Sequence, residues 1–156
     1  DIIEEMIYQS CLIKRNVVEL DPREKGERAL LNFGHTIGHA IEKLSDFQLF
    51  HGQCVGIGMA LSCRLSADLG YISKEACNKV IETLEEFGLP VSVKGLDADE
   101  ILSVSKSDKK MTAGKIKFIL LNAVGNAFIY SDLTDDQILS AISGVLQDAD
   151  GKGKEE

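Results

Sequence analysis

A single segment carries both an apolar pattern that indicates the fold and a set of polar residues that suggests a site. It reads Arg28-Ala29-Leu30-Leu31-Asn32-Phe33-Gly34-His35-Thr36-Ile37-Gly38-His39-Ala40-Ile41-Glu42. An α-helix turns by about 100° per residue, so this segment has two opposite faces. The apolar face gathers Leu30, Gly34, Ile37, Ile41 and Leu44. The polar stripe gathers Arg28, Asn32, His35 and His39. Because the flanks are also apolar, the pattern predicts a largely buried helix from Glu27 to Leu44 with one polar stripe.

The polar stripe has two interpretations. An ordinary amphipathic helix would turn it to solvent. However, the stripe lacks the Glu and Lys that usually coat such a face until Glu42 and Lys43. A buried polar stripe needs hydrogen-bond partners, and a ligand-filled cavity would supply them. We therefore favour the cavity.

Periodicity and turn signals outward from this segment indicate a mainly α domain. Four further helices are expected, over 2–20, from His51 to Leu69, from Ser73 to Phe87, and from about Asp97 or Asp99. A β-hairpin is expected from Lys115–Leu121 and Ala127–Tyr130, and a last helix from Thr134 to Gln147. The fold class is thus a multi-helix domain with one small β-hairpin over residues 1–148, followed by a disordered tail over 149–156.

Composition excludes several classes of protein. The chain has 156 residues, 44% of them hydrophobic, which is enough for one globular domain with a core. A net charge of −8 argues against binding nucleic acid or an anionic membrane. The apolar stretch Val55–Leu61 is too short to span a membrane. The four cysteines show no paired spacing, and we expect reduced core thiols in a cytoplasmic protein.

Histidine spacing suggests a metal site. His35 and His39 are four residues apart, so both imidazoles lie on one side of a helix. His51 begins the next helix, and the chain has no other histidine. Neutral imidazole suits zinc, and a carboxylate or water could complete the coordination. Two histidines at this spacing are weak evidence alone, but three within seventeen residues are more suggestive.

Three glycines, Gly52, Gly56 and Gly58, fall within the helix that starts at His51. Each costs about 1 kcal/mol relative to alanine in a helix interior. Two interpretations can explain the presence of these glycines: close packing of two backbones, or room for a ligand. Both can hold. The run from Cys54 to Cys63 carries no charge, so this helix should be the central buried one.

The segments Arg28–Glu42 and His51–Met59 resemble the signature segments of 3-dehydroquinate synthases. Lys14–Glu24 and Asp108-Lys109-Lys110 match in order and spacing too, so the resemblance covers nearly the whole chain. It implies the C-terminal half of a two-domain enzyme, Rossmann-like plus α, whose N-terminal NAD-binding domain is absent from this chain. The implied reaction converts 3-deoxy-arabino-heptulosonate 7-phosphate to 3-dehydroquinate and phosphate, in the shikimate pathway, as a phosphorus–oxygen lyase.

The resemblance also assigns roles to residues. It implies catalytic NAD and a divalent metal, zinc or cobalt, with His35 and His51 as ligands and His39 in contact with the substrate. Substrate contacts are likewise implied for Lys14, Arg28, Asn32 and Lys109. The family's third metal ligand is a glutamate upstream of Lys14, which this chain lacks. The family commonly has glutamate where Gln53 stands; if that glutamate orients a metal-binding histidine, Gln53 would do so without charge.

Other functions remain open at this point. The domain could belong to another sugar-phosphate cyclase, to a more distant metal-dependent polyol dehydrogenase, or to a non-catalytic helical remnant. The complete enzyme is expected to be a homodimer acting on a small phosphorylated sugar acid. The isolated chain is expected to be inactive, because the NAD-binding domain and the third metal ligand lie outside it.

Overall fold

The computed structural model describes residues 1–23, 26–46, 48–107 and 115–147. Within them the chain forms two compact units, Asp1–Asn32 and Phe33–Glu156. Lys109 and the predicted tail, 149–156, lie outside the described residues. In the described part of the chain, no helix is long and apolar enough to cross a membrane.

The first unit consists of helix α1, Ile2–Leu20, and a 3₁₀ helix, Glu27–Asn32. Asp1 caps α1, because its carboxylate accepts a hydrogen bond from the backbone N–H of Ile3 at 3.1 Å. The predicted helix over 2–20 is therefore confirmed. None of its residues is buried. Its apolar side is exposed along the whole helix, at Ile2, Ile3, Met6, Ile7, Ile13 and Leu20.

The prediction of one continuous helix from Glu27 to Leu44 was wrong. The 3₁₀ helix ends at Asn32, and α2 begins only at His35 and runs to Leu44. Gly34, between them, has a φ of 79°, in the left-handed region that interrupts a right-handed helix. Arg28 and Asn32 therefore do not lie on the α-helix that carries His35 and His39.

The second unit is built around helix α3, His51–Asp68. The other helices are α2, α4 (Lys74–Glu86), α5 (Ala98–Ser107) and α6 (Asp135–Ser143). Core residues of α3 include Cys54, Ile57 and Leu61, each fully buried, which confirms α3 as the central helix. The core also takes in Ile37, Ile41, Ile101, Leu120 and Ile142. The mainly α fold class is confirmed.

Two small β pairs complete the second unit. Short strand β1, Val93–Lys94, pairs in parallel with β4, Leu146–Gln147. The predicted hairpin is present as β2, Phe118–Ala123, and β3, Asn126–Tyr130, in antiparallel register. The last helix was predicted to reach Gln147 but ends at Ser143. The residues after it leave the helix because the backbone N–H of Val93 donates to the carbonyl of Val145 at 2.9 Å, the start of the parallel pair.

Helices α2 and α3 touch through glycine. A Cβ added at Gly58 would lie 1.9 Å from the carbonyl oxygen of Gly34, and one at Gly38 would lie 3.0 Å from the carbonyl oxygen of Cys54. A Cβ at Gly56 would lie 3.2 Å from the carbonyl oxygen of Pro90. Close backbone packing thus explains Gly56 and Gly58, whereas Gly52 has nothing within 4 Å and faces open space.

The cysteines are only partly as predicted. All four are free thiols, and Cys54, Cys63 and Cys77 are buried. Cys11 is exposed, because it lies on α1, none of whose residues is buried. Burial raises the pKa of the Cys63 thiol to about 12, so this group stays protonated at neutral pH.

Candidate metal and substrate site

The three histidines come together at the start of α2 and of α3. Their ring centroids lie 5.4 Å apart for His35 and His39, 5.3 Å for His35 and His51, and 5.5 Å for His39 and His51. His35 and His39 are one helical turn apart on α2, and His51 is the first residue of α3. The glycine contacts bring the two helices close enough for rings on different helices to meet.

The histidine cluster fits a metal ion. One candidate ligand atom from each ring lies within 4.8 Å of the other two. Two nitrogens bound to one tetrahedral zinc lie roughly 3.4 Å apart, given zinc–nitrogen bonds of about 2.0–2.1 Å. Small rotations of the side chains would close this difference, since His35 and His39 are only partly buried and His51 is exposed. Neutral imidazoles are also the right donors for zinc or cobalt.

His35 and His51 each have one ring nitrogen beside a hydrogen-bond acceptor. Nδ1 of His35 lies 3.2 Å from the carbonyl oxygen of Phe33, and Nδ1 of His51 lies 3.1 Å from Oε2 of Glu42. A carbonyl or carboxylate oxygen can only accept, so each Nδ1 is the protonated nitrogen in the neutral ring. This arrangement leaves Nε2 of both rings with its lone pair, as a metal ligand requires.

Sequence reasoning missed Glu42 as part of this cluster. Glu42 lies two helical turns beyond His35 on α2, and this spacing, which puts both on one face, was the available signal. The family resemblance makes Gln53 a candidate for orienting a metal-binding histidine, if the glutamate common at this position does so. Instead, Oε1 of Gln53 accepts a hydrogen bond from the backbone N–H of Phe50 at 2.9 Å and so caps the start of α3.

The carboxylate of Glu42 is partly shielded from solvent. Its side chain is 21% exposed. Burial raises the pKa of the nearby Cys54 thiol, and the negative charge of Glu42 raises it further. A carboxylate in such a place interacts more strongly with its neighbours than one in bulk water.

The predicted substrate-binding residues Lys14, Arg28 and Asn32 belong to the first unit, whereas the histidines belong to the second. Lys14 is exposed on α1, and Asn32 is partly buried at the end of the 3₁₀ helix. The guanidinium of Arg28 donates to the carbonyl oxygen of Pro22 at 3.1 Å. The carboxylate of Asp21 accepts a hydrogen bond from the backbone N–H of Arg28 at 3.2 Å. Their roles stay predictions, as does that of Lys109.

Comparison with known sequences agrees with the motif. Residues 1–111 match the family described as 3-dehydroquinate synthase C-terminal. The 3-dehydroquinate synthase of Dehalococcoides mccartyi is 39% identical over 142 residues, which are 91% of this chain and 40% of that protein. The one from Caldanaerobacter subterraneus subsp. tengcongensis is 42% identical over 132 residues, 84% of this chain and 37% of that protein. The chain thus spans about two fifths of these relatives.

Solved structures of similar fold are sugar-phosphate cyclases. A 2-epi-5-epi-valiolone synthase from Streptomyces hygroscopicus subsp. jinggangensis, with NAD⁺ and Zn²⁺ bound, superposes with a TM-score of 0.74 at 25% identity, over 83% of this chain and 36% of that one. A 2-deoxy-scyllo-inosose synthase complexed with carbaglucose-6-phosphate, NAD⁺ and Co²⁺ gives a TM-score of 0.68 at 21% identity, over 79% of this chain and 36% of that one. The second likeness concerns the fold alone.

Proposed function

The chain belongs to the 3-dehydroquinate synthase C-terminal family, and from this premise we propose that it supplies the metal- and substrate-binding half of that enzyme. The complete enzyme would convert 3-deoxy-arabino-heptulosonate 7-phosphate to 3-dehydroquinate and phosphate, with NAD as a catalytic cofactor. The observation that carries the proposal is the meeting of His35, His39 and His51 in one cluster. Identities of 39% and 42% to named synthases support the same reaction.

In this proposal His35 and His51 are metal ligands. Each keeps its Nε2 lone pair available, because Nδ1 faces an oxygen acceptor. A bound zinc or cobalt ion would polarise the hydroxyl and carbonyl groups of the substrate. Two imidazoles fall short of the three protein ligands usual in catalytic zinc sites, so the third ligand would come from outside this chain.

His39 has a separate role in the proposal. Its ring lies 5.4 Å from that of His35 and 5.5 Å from that of His51, close to the metal ligands. An imidazole N–H can donate a hydrogen bond to a phosphate oxygen, which suits contact with the phosphate side of the substrate. We therefore place His39 on the substrate rather than on the metal.

Lys14, Arg28, Asn32 and Lys109 would bind the anionic groups of the substrate. The substrate carries a phosphate ester and a carboxylate, and both prefer cationic or amide hydrogen-bond donors. Arginine matches such groups with two parallel donors, whereas lysine offers a point charge. The guanidinium of Arg28 already bonds the carbonyl of Pro22, which would restrict its orientation before substrate arrives.

The rest of the enzyme would complete the site. The curated relatives are more than twice as long as their matched region, which leaves room for an NAD-binding domain. The exposed apolar side of α1, with Ile3 and Ile7 at 64% and 60% exposure, suits burial against further protein. We propose that the complete enzyme binds NAD mainly through that additional domain and acts as a homodimer.

Another sugar-phosphate cyclase is the second candidate. It is favoured by the likeness to the valiolone synthase, with a TM-score of 0.74 at 25% identity. These enzymes share the fold, so product identity must decide between them. Identity to the 3-dehydroquinate synthases is higher, at 39% against 25% for the valiolone synthase, which favours the first candidate.

A chimera tests the proposal. This chain would replace the matched region of the Dehalococcoides mccartyi relative, whose remaining sequence would supply the other domain. The chimera should release phosphate from the heptulosonate phosphate in the presence of NAD and zinc, and form 3-dehydroquinate. The isolated chain, assayed beside it, should release none and show no NAD binding by calorimetry. A folded chimera without synthase activity, or one that makes another cyclitol from another sugar phosphate, would contradict the proposal.

A further inference from the structure

Glu42 and His51, a histidine of the cluster, form an ion pair when the imidazole is protonated. Oε2 of Glu42 lies 3.1 Å from Nδ1 of His51. The two residues come from different helices, the last turn of α2 and the first residue of α3. The contact therefore joins the two helices beside the cluster.

Of the two partners, Glu42 is the more buried. The side chain of His51 is half exposed, at 50%, whereas that of Glu42 is 21% exposed. An exposed imidazole at a helix start has several rotamers of similar energy. Glu42 is the better anchored partner, because its side chain is less than half as exposed as that of His51. The carboxylate can thus fix the orientation of the ring.

The backbone at His51 is fixed by a different residue. Gln53 accepts from the N–H of Phe50 and so holds the first turn of α3. Gln53 therefore fixes the backbone at the start of α3, and Glu42 fixes the orientation of the His51 ring. His35 has an equivalent partner in the carbonyl oxygen of Phe33.

We propose that Glu42 is a positioning residue for the metal site, which holds the proton of His51 on Nδ1 and turns Nε2 towards His35. The inference rests on the proposed function, because it takes His51 as a metal ligand. A hydrogen-bond partner on the far nitrogen of a ligating histidine fixes its tautomer and its ring orientation. Loss of such partners typically lowers metal affinity by about 10–100-fold.

Two measurements test the role of Glu42, the first on the chimeric enzyme, which includes the third metal ligand, and the second on this chain. The first is Co²⁺ and Zn²⁺ affinity, from the cobalt absorption spectrum and competition with a chelator. Glu42→Ala should weaken binding by at least about tenfold, and Glu42→Gln, which keeps an oxygen acceptor, by less. Glu82→Ala removes the same charge from an exposed position on α4 and should leave affinity unchanged.

The second measurement needs no metal. Nitrogen-15 NMR of the neutral imidazoles should show His51 protonated on Nδ1 in the wild-type chain and in Glu42→Gln. In Glu42→Ala this preference should be lost, while His35 keeps its own tautomer through the carbonyl of Phe33. Circular dichroism of each variant would verify that the helices remain.

The outcomes separate two failures. If the wild-type chimera binds neither metal, the proposed metal site itself is wrong, and the role of Glu42 falls with it. If the wild-type chimera binds metal but its Glu42→Ala variant binds equally well, or if Glu42→Ala keeps His51 protonated on Nδ1, Glu42 is only a surface partner and the inference is overturned.

Discussion

Replacing Gly58 with alanine should separate α2 from α3. The added Cβ would lie 1.9 Å from the carbonyl oxygen of Gly34, whereas ordinary contacts begin at 3.4 Å, so the helices must move apart by about 1.5 Å. The obstructing atom belongs to the backbone, and no side-chain rotation can relieve the clash. Overpacking of this kind costs about 1–3 kcal/mol, occasionally more.

Helix propensity acts in the opposite direction. Alanine gains about 1 kcal/mol over glycine inside a helix. With the upper value for overpacking, the free energy of unfolding of Gly58→Ala should fall by about 2 kcal/mol. The assay is urea denaturation followed by far-UV circular dichroism. Because His35 follows Gly34 directly, cobalt affinity should fall in the same variant.

Gly52→Ala is the matched control for this prediction. It lies in the same helix, but nothing is within 4 Å of the added Cβ, so stability should be unchanged or slightly higher. If Gly58→Ala unfolds at the same urea concentration as the wild type, the close contact of α2 and α3 is not present in solution, and the explanation of the histidine cluster through glycine packing would fail.

Three further predictions concern stability, substrate binding and thiol reactivity. The fully buried hydroxyl of Ser66 accepts from the backbone N–H of Leu121 at 2.9 Å; Ser66→Ala should therefore cost about 1–3 kcal/mol in urea denaturation, against little change for exposed Ser143→Ala. In the chimeric enzyme Arg28→Ala should lower kcat/KM by about 2 kcal/mol, or roughly 30-fold, and unchanged kinetics would make the residue a surface one. Ellman's reagent should react rapidly with Cys11 alone, since burial shields the other three thiols and raises each pKa; fast reaction of all four would contradict the core packing.

Much of the fold could be predicted because the local signals agree with the packing. The uncharged run from Cys54 to Cys63 predicted the central helix, and the segments Lys115–Leu121 and Ala127–Tyr130 predicted the hairpin. Periodicity failed at Gly34, because the same apolar face continues on both sides of the break. Gly34 has a left-handed backbone where α3 approaches closely, and such a tertiary contact leaves no periodic signal in the sequence.

The candidate site was predictable in part. The spacing of His35, His39 and His51 was enough to suggest a cluster, and the structure brings the three rings together. The partner of His51 was not found, because the sequence pattern places Glu42 at the solvated end of a helix. The parallel pairing of Leu146 with Val93 was missed for a similar reason: it joins segments more than fifty residues apart, and two-residue strands have no periodicity.

The most direct test of the account is the metal content of three histidine variants in the chimeric enzyme. His35→Ala and His51→Ala should each lose stoichiometric zinc, measured by mass spectrometry of the dialysed protein. His39→Ala should keep its zinc close to the wild-type level and lose turnover, because its imidazole serves the substrate. Equal loss of zinc in all three variants would contradict this division of roles, and full zinc in His35→Ala or His51→Ala would contradict the metal site itself.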